Sequence, residues 1–314
     1  MSRAIVKRIS AVVLVISVLT GMAVVLLRRD ATAPPTTDAA VTIAASFYPL
    51  AEFTRQVGGA LVRVTNLTPP GVEPHEFEPA PQQIARISQS DLLVFNGGGV
   101  DAWASRLASS LARTGTRVLE MRPHMGALLP AAVREERSGR FDEHFWLSPV
   151  LAQKEVEVIR DALIEIDPTH ADVYRTNAAV YLQELRELDH AFAQGLASCR
   201  LRVAVTSHAA FGYLAHAYGF TQIPITGISP DEEPSAGALA AIARQAKTRG
   251  VRYVLFETLV SPKLAQTLAR EIGAQTLVFN PLEGLTEEEM ASGKHYISVM
   301  RENLATLRTA MVCE

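Results

Sequence analysis

Three histidines stand apart in this chain, because each sits in or beside a turn-rich loop at the edge of a strand-like or helix-starting segment. His75 lies in Pro70-Gly71-Val72-Glu73-Pro74-His75-Glu76, after a strand-like run that ends near Thr65. His144 lies in Asp142-Glu143-His144-Phe145-Trp146-Leu147-Ser148-Pro149, just ahead of a helical stretch, and His208 follows Thr206-Ser207 at the exit of another strand-like run. Loops at strand ends are where rigid α/β scaffolds present functional groups. Imidazole nitrogen suits Zn²⁺, Cu²⁺, Ni²⁺ or Fe²⁺, whereas Ca²⁺ and Mg²⁺ take oxygen. Three histidines and one carboxylate make a tetrahedral Zn²⁺ shell. One loop histidine would carry little weight; three at corresponding places in two halves of the chain carry more. His124, His170, His190, His216 and His295 sit in helical or polar surroundings and read as surface or packing residues.

Other chemistries fail on spacing. His75-Glu76 begins like the zinc-protease helix motif, but Pro79 stands where the second histidine belongs and forbids the helix. No Gly-x-Ser-x-Gly elbow is present for serine hydrolysis. Asn96-Gly97-Gly98-Gly99 lacks both the Gly-Lys-Ser/Thr ending of a phosphate loop and the G-x-G-x-x-G spacing, so it reads as a glycine turn closing a strand.

The elements that would position these residues alternate. Strand-like runs at 41–46, 61–65, 91–96 and 117–120 are interleaved with helical patterns at 48–57, 81–88 and 102–114. This rhythm predicts an α/β lobe with a mainly parallel sheet over residues 41–148. From 149 to 198 the strands vanish. A helix over 151–166 is broken at Asp167-Pro168, and an amphipathic pattern then runs from Thr169 to Leu196 with Val173, Val180, Leu185, Leu188, Phe192 and Leu196 on its apolar side. Such a helix of roughly 30 residues extends about 45 Å, a rigid strut between two halves. Alternation resumes over 199–314, with strands at 201–206, 253–256 and 275–279, helices at 209–218, 237–248 and 262–272, and one closing helix over 287–311. Two α/β lobes on a helical spine leave a cleft, and open α/β sheets bind ligands at the carboxyl ends of their strands.

Residues 1–29 carry Arg3, Lys7 and Arg8 ahead of an uncharged apolar run from Ile9 to Leu27. This is either a membrane anchor or a cleaved secretion signal, and both export the rest of the chain. Residues 30–40 read as a flexible tether. In an oxidising compartment the two cysteines, Cys199 and Cys313, are expected to be bridged. The balance of 30 basic against 33 acidic residues, with no basic-aromatic cluster, argues against a nucleic-acid partner.

On the segments GVEPHEFEPAPQQIARISQSDLLVFNGGGVDAW, EHFWLSP, SHAAFGYLAHAYG, GISPDEEPSAGALA, VLFE, NPLEGLTEEE and YISVMRENL, the chain resembles the zinc/manganese class of ABC-importer solute-binding proteins. These segments occur in family order and cover nearly everything from residue 42 onward. The resemblance implies two lobes joined by a rigid helix, with the metal in the cleft between them. It also implies His75, His144 and His208 as ligands, with His at the third position in zinc-selective relatives and Glu in manganese-selective ones. Asn280 occupies the point where many relatives have an Asp ligand, so the fourth donor carries over to Glu283, or to a water. Glu257, after the VLFE strand, is expected either to orient a ligand imidazole or to bond nearby backbone. The resemblance implies capture of Zn²⁺ by a monomer outside the cytoplasm and delivery to a membrane permease, without enzymatic chemistry. Manganese or iron(II) delivery, or service as a surface adhesin, are the alternatives. The long His-rich loop of many relatives is missing, since 122–141 holds only His124, and Leu19-Thr20-Gly21-Met22 lacks the cysteine that would take a lipid.

Overall fold

Two sheets of four parallel strands organise residues 40–126, 128 and 142–314, which a computed structural model describes. The expected anchor or signal over 1–29, residues 30–39 of the tether, and most of the 122–141 loop lie outside the described residues. The first sheet contains β1 (Val41–Ala45), β2 (Val62–Asn66), β3 (Leu92–Phe95) and β4 (Arg117–Glu120), in the order β2-β1-β3-β4. The second contains β5 (Val203–Thr206), β6 (Thr221–Pro224), β7 (Tyr253–Phe256) and β8 (Gln275–Val278), in the order β6-β5-β7-β8. Both sheets therefore repeat one topology. Strands β3 (LLVF) and β5 (VAVT) are buried along their whole length, as expected of central strands covered on both faces. The strand-like runs of the sequence do not include β6. Thr-Gln-Ile-Pro offers one strongly apolar residue, and its proline is tolerated because the strand lies at a sheet edge.

The helices are α1 (Tyr48–Gly58), α2 (Pro81–Ile87), α3 (Ala102–Thr114), α4 (Arg122–Met125), α5 (Pro149–Ile166), α6 (Ala171–Gly195), α7 (Gly212–Tyr218), α8 (Ala236–Thr248), α9 (Lys263–Ile272), α10 (Glu287–Ala291) and α11 (Tyr296–Ala310). The strut is shorter than its sequence pattern. A 3₁₀ turn at Pro168–His170 precedes α6, whose 25 residues rise about 37 Å. Its buried stripe also differs: Tyr174, Ala178, Tyr181, Leu185, Leu188 and Phe192 face inward, whereas Val173 and Val180 are exposed. Tyrosine rings bury more apolar area than valine, and the Tyr174 hydroxyl keeps a partner by donating to Asp167 Oδ2 at 2.8 Å. The single closing helix is in fact two, because Gly293 at φ 79° turns the chain between α10 and α11.

The main core forms where α1, α5, α6 and α11 meet, around Phe53, Trp146, Tyr174, Phe192 and Tyr296. Inside it lies Glu155 of α5, fully buried, with no hydrogen-bond partner for either carboxylate oxygen. Burial pushes this carboxyl well above its ordinary 4.5. Cys199 and Cys313 are bridged, joining the segment before β5 to the residues that follow α11. Among the described residues, no helix is long and apolar enough to cross a membrane.

Candidate metal centre

Because all strands of a sheet run parallel, each sheet presents its carboxyl ends on one side, and the loops there carry the histidines. His75 lies in a 3₁₀ turn (Pro74–Glu76) on the long connection from β2 to α2, and His208 directly follows β5. Glu283 lies beyond β8, while His144 sits just ahead of a 3₁₀ turn, Phe145–Leu147, that leads into α5. The structure brings all four together, with one donor atom from each inside a set no wider than 4.8 Å. His144, His208 and Glu283 are fully buried. His124, His170, His190, His216 and His295 do not join the cluster.

Four donor separations can be compared with a coordination shell. His144 Nε2 and His208 Nε2 are 3.3 Å apart; Glu283 Oε1 lies 3.1 Å from His208 Nε2, 3.2 Å from His144 Nε2 and 3.5 Å from His75 Nε2. Zinc bonds of about 2.0–2.1 Å in a tetrahedron place neighbouring donors about 3.3–3.4 Å apart. Four of the six donor pairs thus stand close to the edge length of a Zn²⁺ tetrahedron, within a set that reaches 4.8 Å, and the donors fit the ion in type as well.

Carboxylates orient the imidazoles. Asp142 Oδ1 accepts from the His144 backbone N–H at 3.0 Å and lies 2.8 Å from Nδ1. Glu257 Oε1 accepts from the His208 N–H at 3.2 Å and lies 2.6 Å from Nδ1. Both rings therefore direct Nδ1–H at a carboxylate and turn Nε2 into the cluster. Burial disfavours a charged His144, yet its bonds to Asp142 and Glu283 outweigh burial and hold its pKa up to about 9. His208 is also raised well above the ordinary range, with Glu257 and Glu283 overcoming burial. Burial acts to raise Glu283, but the imidazoles of His208 and His144 prevail and hold it well below its ordinary value. At the third histidine, Glu73 Oε1 accepts from the His75 N–H at 3.2 Å, while Glu73 Oε2 is buried without a partner.

The loops have their own supports. Glycines 97 and 98 take φ of 83° and 104°, and the turn they form receives a side chain: Gly99 and Val100 donate to Glu143 Oε1 at 2.6 and 2.9 Å. A Cβ on Gly98 would meet Glu143 Oε2 at 2.9 Å, so the glycine turn is shaped to let the residue beside His144 approach. Asn96 adds a bond from Nδ2 to the Glu143 carbonyl at 2.9 Å. Glu283 depends on an unusual backbone. Leu282 adopts φ 56°, and its N–H donates to Asn280 Oδ1 at 2.7 Å, turning the chain so that Glu283 faces inward. Asn280 builds the loop that positions the carboxylate. Sequence reasoning named Glu257 but gave no role to Asp142 or Glu73. The visible signal was their common place two residues ahead of a candidate ligand.

Two parallel-sheet lobes that face each other across three imidazoles and a carboxylate define a metal-binding solute-binding protein. Residues 43–310 match the family described as "Zinc-uptake complex component A periplasmic", and the chain belongs to that family. It is 41% identical over 280 residues to the "Zinc-binding lipoprotein AdcA" of Streptococcus pneumoniae strain R6, covering 86% of this chain and 56% of that protein. The chain therefore spans little more than half the length of such relatives. It is 39% identical over 280 residues to the "High-affinity zinc uptake system protein ZnuA" of Bacillus subtilis, covering 86% of this chain and 87% of that one. Among solved structures, the Zn(II)-bound ZnuA-like domain of Streptococcus pneumoniae AdcA superposes with a TM-score of 0.75 at 40% identity, covering 87% of this chain and 99% of that domain.

Proposed function

We propose that this chain captures Zn²⁺ between its lobes with His75, His144, His208 and Glu283 and delivers it to the membrane permease of an ABC importer. The observation that carries the reading is the convergence of four donors within 4.8 Å, with four of their six separations, 3.1 to 3.5 Å, near the edge length of a zinc tetrahedron. Three nitrogens and one oxygen favour zinc over manganese, which takes more oxygen. The chain acts as a monomer, since one polypeptide supplies every donor, and outside the cytoplasm, in keeping with the periplasmic description of its family. It catalyses nothing: four protein ligands leave no open position for a substrate.

Metal analysis of protein purified without added metal, followed by competition between Zn²⁺ and Mn²⁺, tests this. One equivalent of zinc, retained against excess manganese and lost in His208→Ala, is the expected result. His208→Glu should move the preference toward manganese. Retention of manganese over zinc by the unaltered protein would overturn the assignment.

A further inference from the structure

Charge is segregated within the second lobe. Between Ala236 and Gln275 stand six basic residues and two acids, and one of those acids, Glu257, is buried beside His208. Between Thr276 and Glu314 six acids stand against three bases. The basic stretch is the one that forms α8 and α9, which cover one face of the second sheet over a core of its own. Of its six cations, Lys247 alone has an ion-pair partner among the described residues, Glu271 at 3.5 Å.

A groove of about 550 Å³ runs between α8 and α9, away from every metal donor. Both helices return from a carboxyl end of one parallel strand to the amino end of the next, so they run parallel to each other. Leu239, Ala243 and Leu268 give one half of the groove an apolar floor, and the exposed Arg244, Lys247 and Arg270 ring the other half. From 239 to 247 the helix rises about 12 Å, so polarity changes along the groove rather than across it.

That direction decides what fits. Cations in a last turn complement the helix dipole, which accounts for Lys247 and Arg270 singly but not for the apolar trough beside them. An amphipathic helix separates its faces across its width and would meet the wrong half. A phospholipid with an anionic headgroup is charged at one end and apolar beyond it, which matches the groove end to end. Whether an anchor or a cleaved signal, the run Ile9–Leu27 sends the rest of the chain outside the cytoplasm, where a leaflet is within reach.

We propose that the groove between α8 and α9 holds an anionic phospholipid of the membrane surface, its phosphate on Arg244, Lys247 and Arg270. The proposal rests on the chain being an exported zinc carrier and names the surface on which it settles between deliveries. The basic end lies at the amino edge of the sheet, opposite the loops of His208 and Glu257, so a chain settled this way keeps its metal loops turned from the bilayer.

The test uses the full chain in nanodiscs of phosphatidylcholine, alone or with about 30% phosphatidylglycerol as the anionic lipid. Acetylation followed by mass spectrometry should find Lys247 protected in the anionic discs only, with Lys263, at the other end of α9, equally reactive in both. Arg244→Gln should lower the protection roughly fivefold, the factor for about 1 kcal/mol per basic residue. Ala240→Trp, exposed on α8, fills the trough without changing charge and should also remove it. Equal Lys247 reactivity in the two discs, or protection retained in Ala240→Trp, would overturn the proposal. So would equal protection by inorganic phosphate in the phosphatidylcholine discs, which would mark a small-anion site. Zinc titration in the same discs reads the metal centre separately: failure there would sink the zinc reading and leave the lipid result standing.

Discussion

Glu155 offers a test of the core that is independent of metal. Its carboxyl is fully buried with both oxygens unpartnered, and burial lifts it well above 4.5. In the unfolded chain the group titrates near 4.5 and is ionised at pH 7, so folding there must return a proton to it. Between 4.5 and 7, at 1.36 kcal/mol per unit, that proton uptake costs at most about 3.4 kcal/mol. A carboxyl raised by folding favours the folded state below pH 4.5, and that advantage is lost as pH climbs toward the folded-state pKa. Glu155→Gln keeps the size and removes the titration. Its stability relative to the unaltered protein should therefore improve between pH 4 and pH 7 by up to about 3.4 kcal/mol, or roughly 7–13 °C in Tm. Urea unfolding with EDTA present at both pH values measures this, the chelator removing any contribution from bound zinc. A stability difference that is the same at pH 4 and pH 7 would refute the claim that a neutral carboxyl occupies the core.

Three further outcomes are expected. Gly98→Ala forces a side chain at φ 104° against Glu143, with strain of order 1–3 kcal/mol, and calorimetric titration should record zinc affinity about tenfold weaker through a displaced His144. Since zinc must displace the proton that His144 holds up to about 9, apparent affinity should rise with pH below 9, by roughly tenfold per unit from this residue alone, as read by competition with a chelator of known pH dependence. Replacing Cys199 and Cys313 together by serine opens a link that spans 114 positions in sequence, which removes up to about 4–5 kcal/mol of stability. Thermal unfolding should show the loss, while zinc affinity at 20 °C stays within a few-fold because the bridge lies at the far end of α11.

The sheets were legible because runs such as Leu92–Phe95 and Val203–Thr206 are too short for helices, rich in β-branched or aromatic residues and bounded by turn residues. β6 was not, since a short edge strand needs few apolar residues and its register is set by β5. On the strut's inward face Leu185, Leu188, Phe192 and Leu196 are buried as expected, but Val173 and Val180 give way to their neighbours Tyr174 and Tyr181, because valine outranks tyrosine on a hydropathy reading whereas packing favours the larger ring. The histidines could be found from the loops that carry them. Glu283 was found through family resemblance alone: nothing local in Asn-Pro-Leu-Glu announces the turn at Leu282 that points the carboxylate inward. The pairing of Asp142 with His144 and of Glu73 with His75 repeats one spacing, but its meaning depends on where the side chains meet in space.

The four donors divide evenly, His75 and His144 ahead of α5 and α6, His208 and Glu283 after them. A ribosome or translocon that has released only the first half exposes two imidazoles far apart along a chain with no partner lobe to complete their shell. Partly made chains should therefore compete poorly for scarce metal, and cation loading becomes a late event that reports a finished fold.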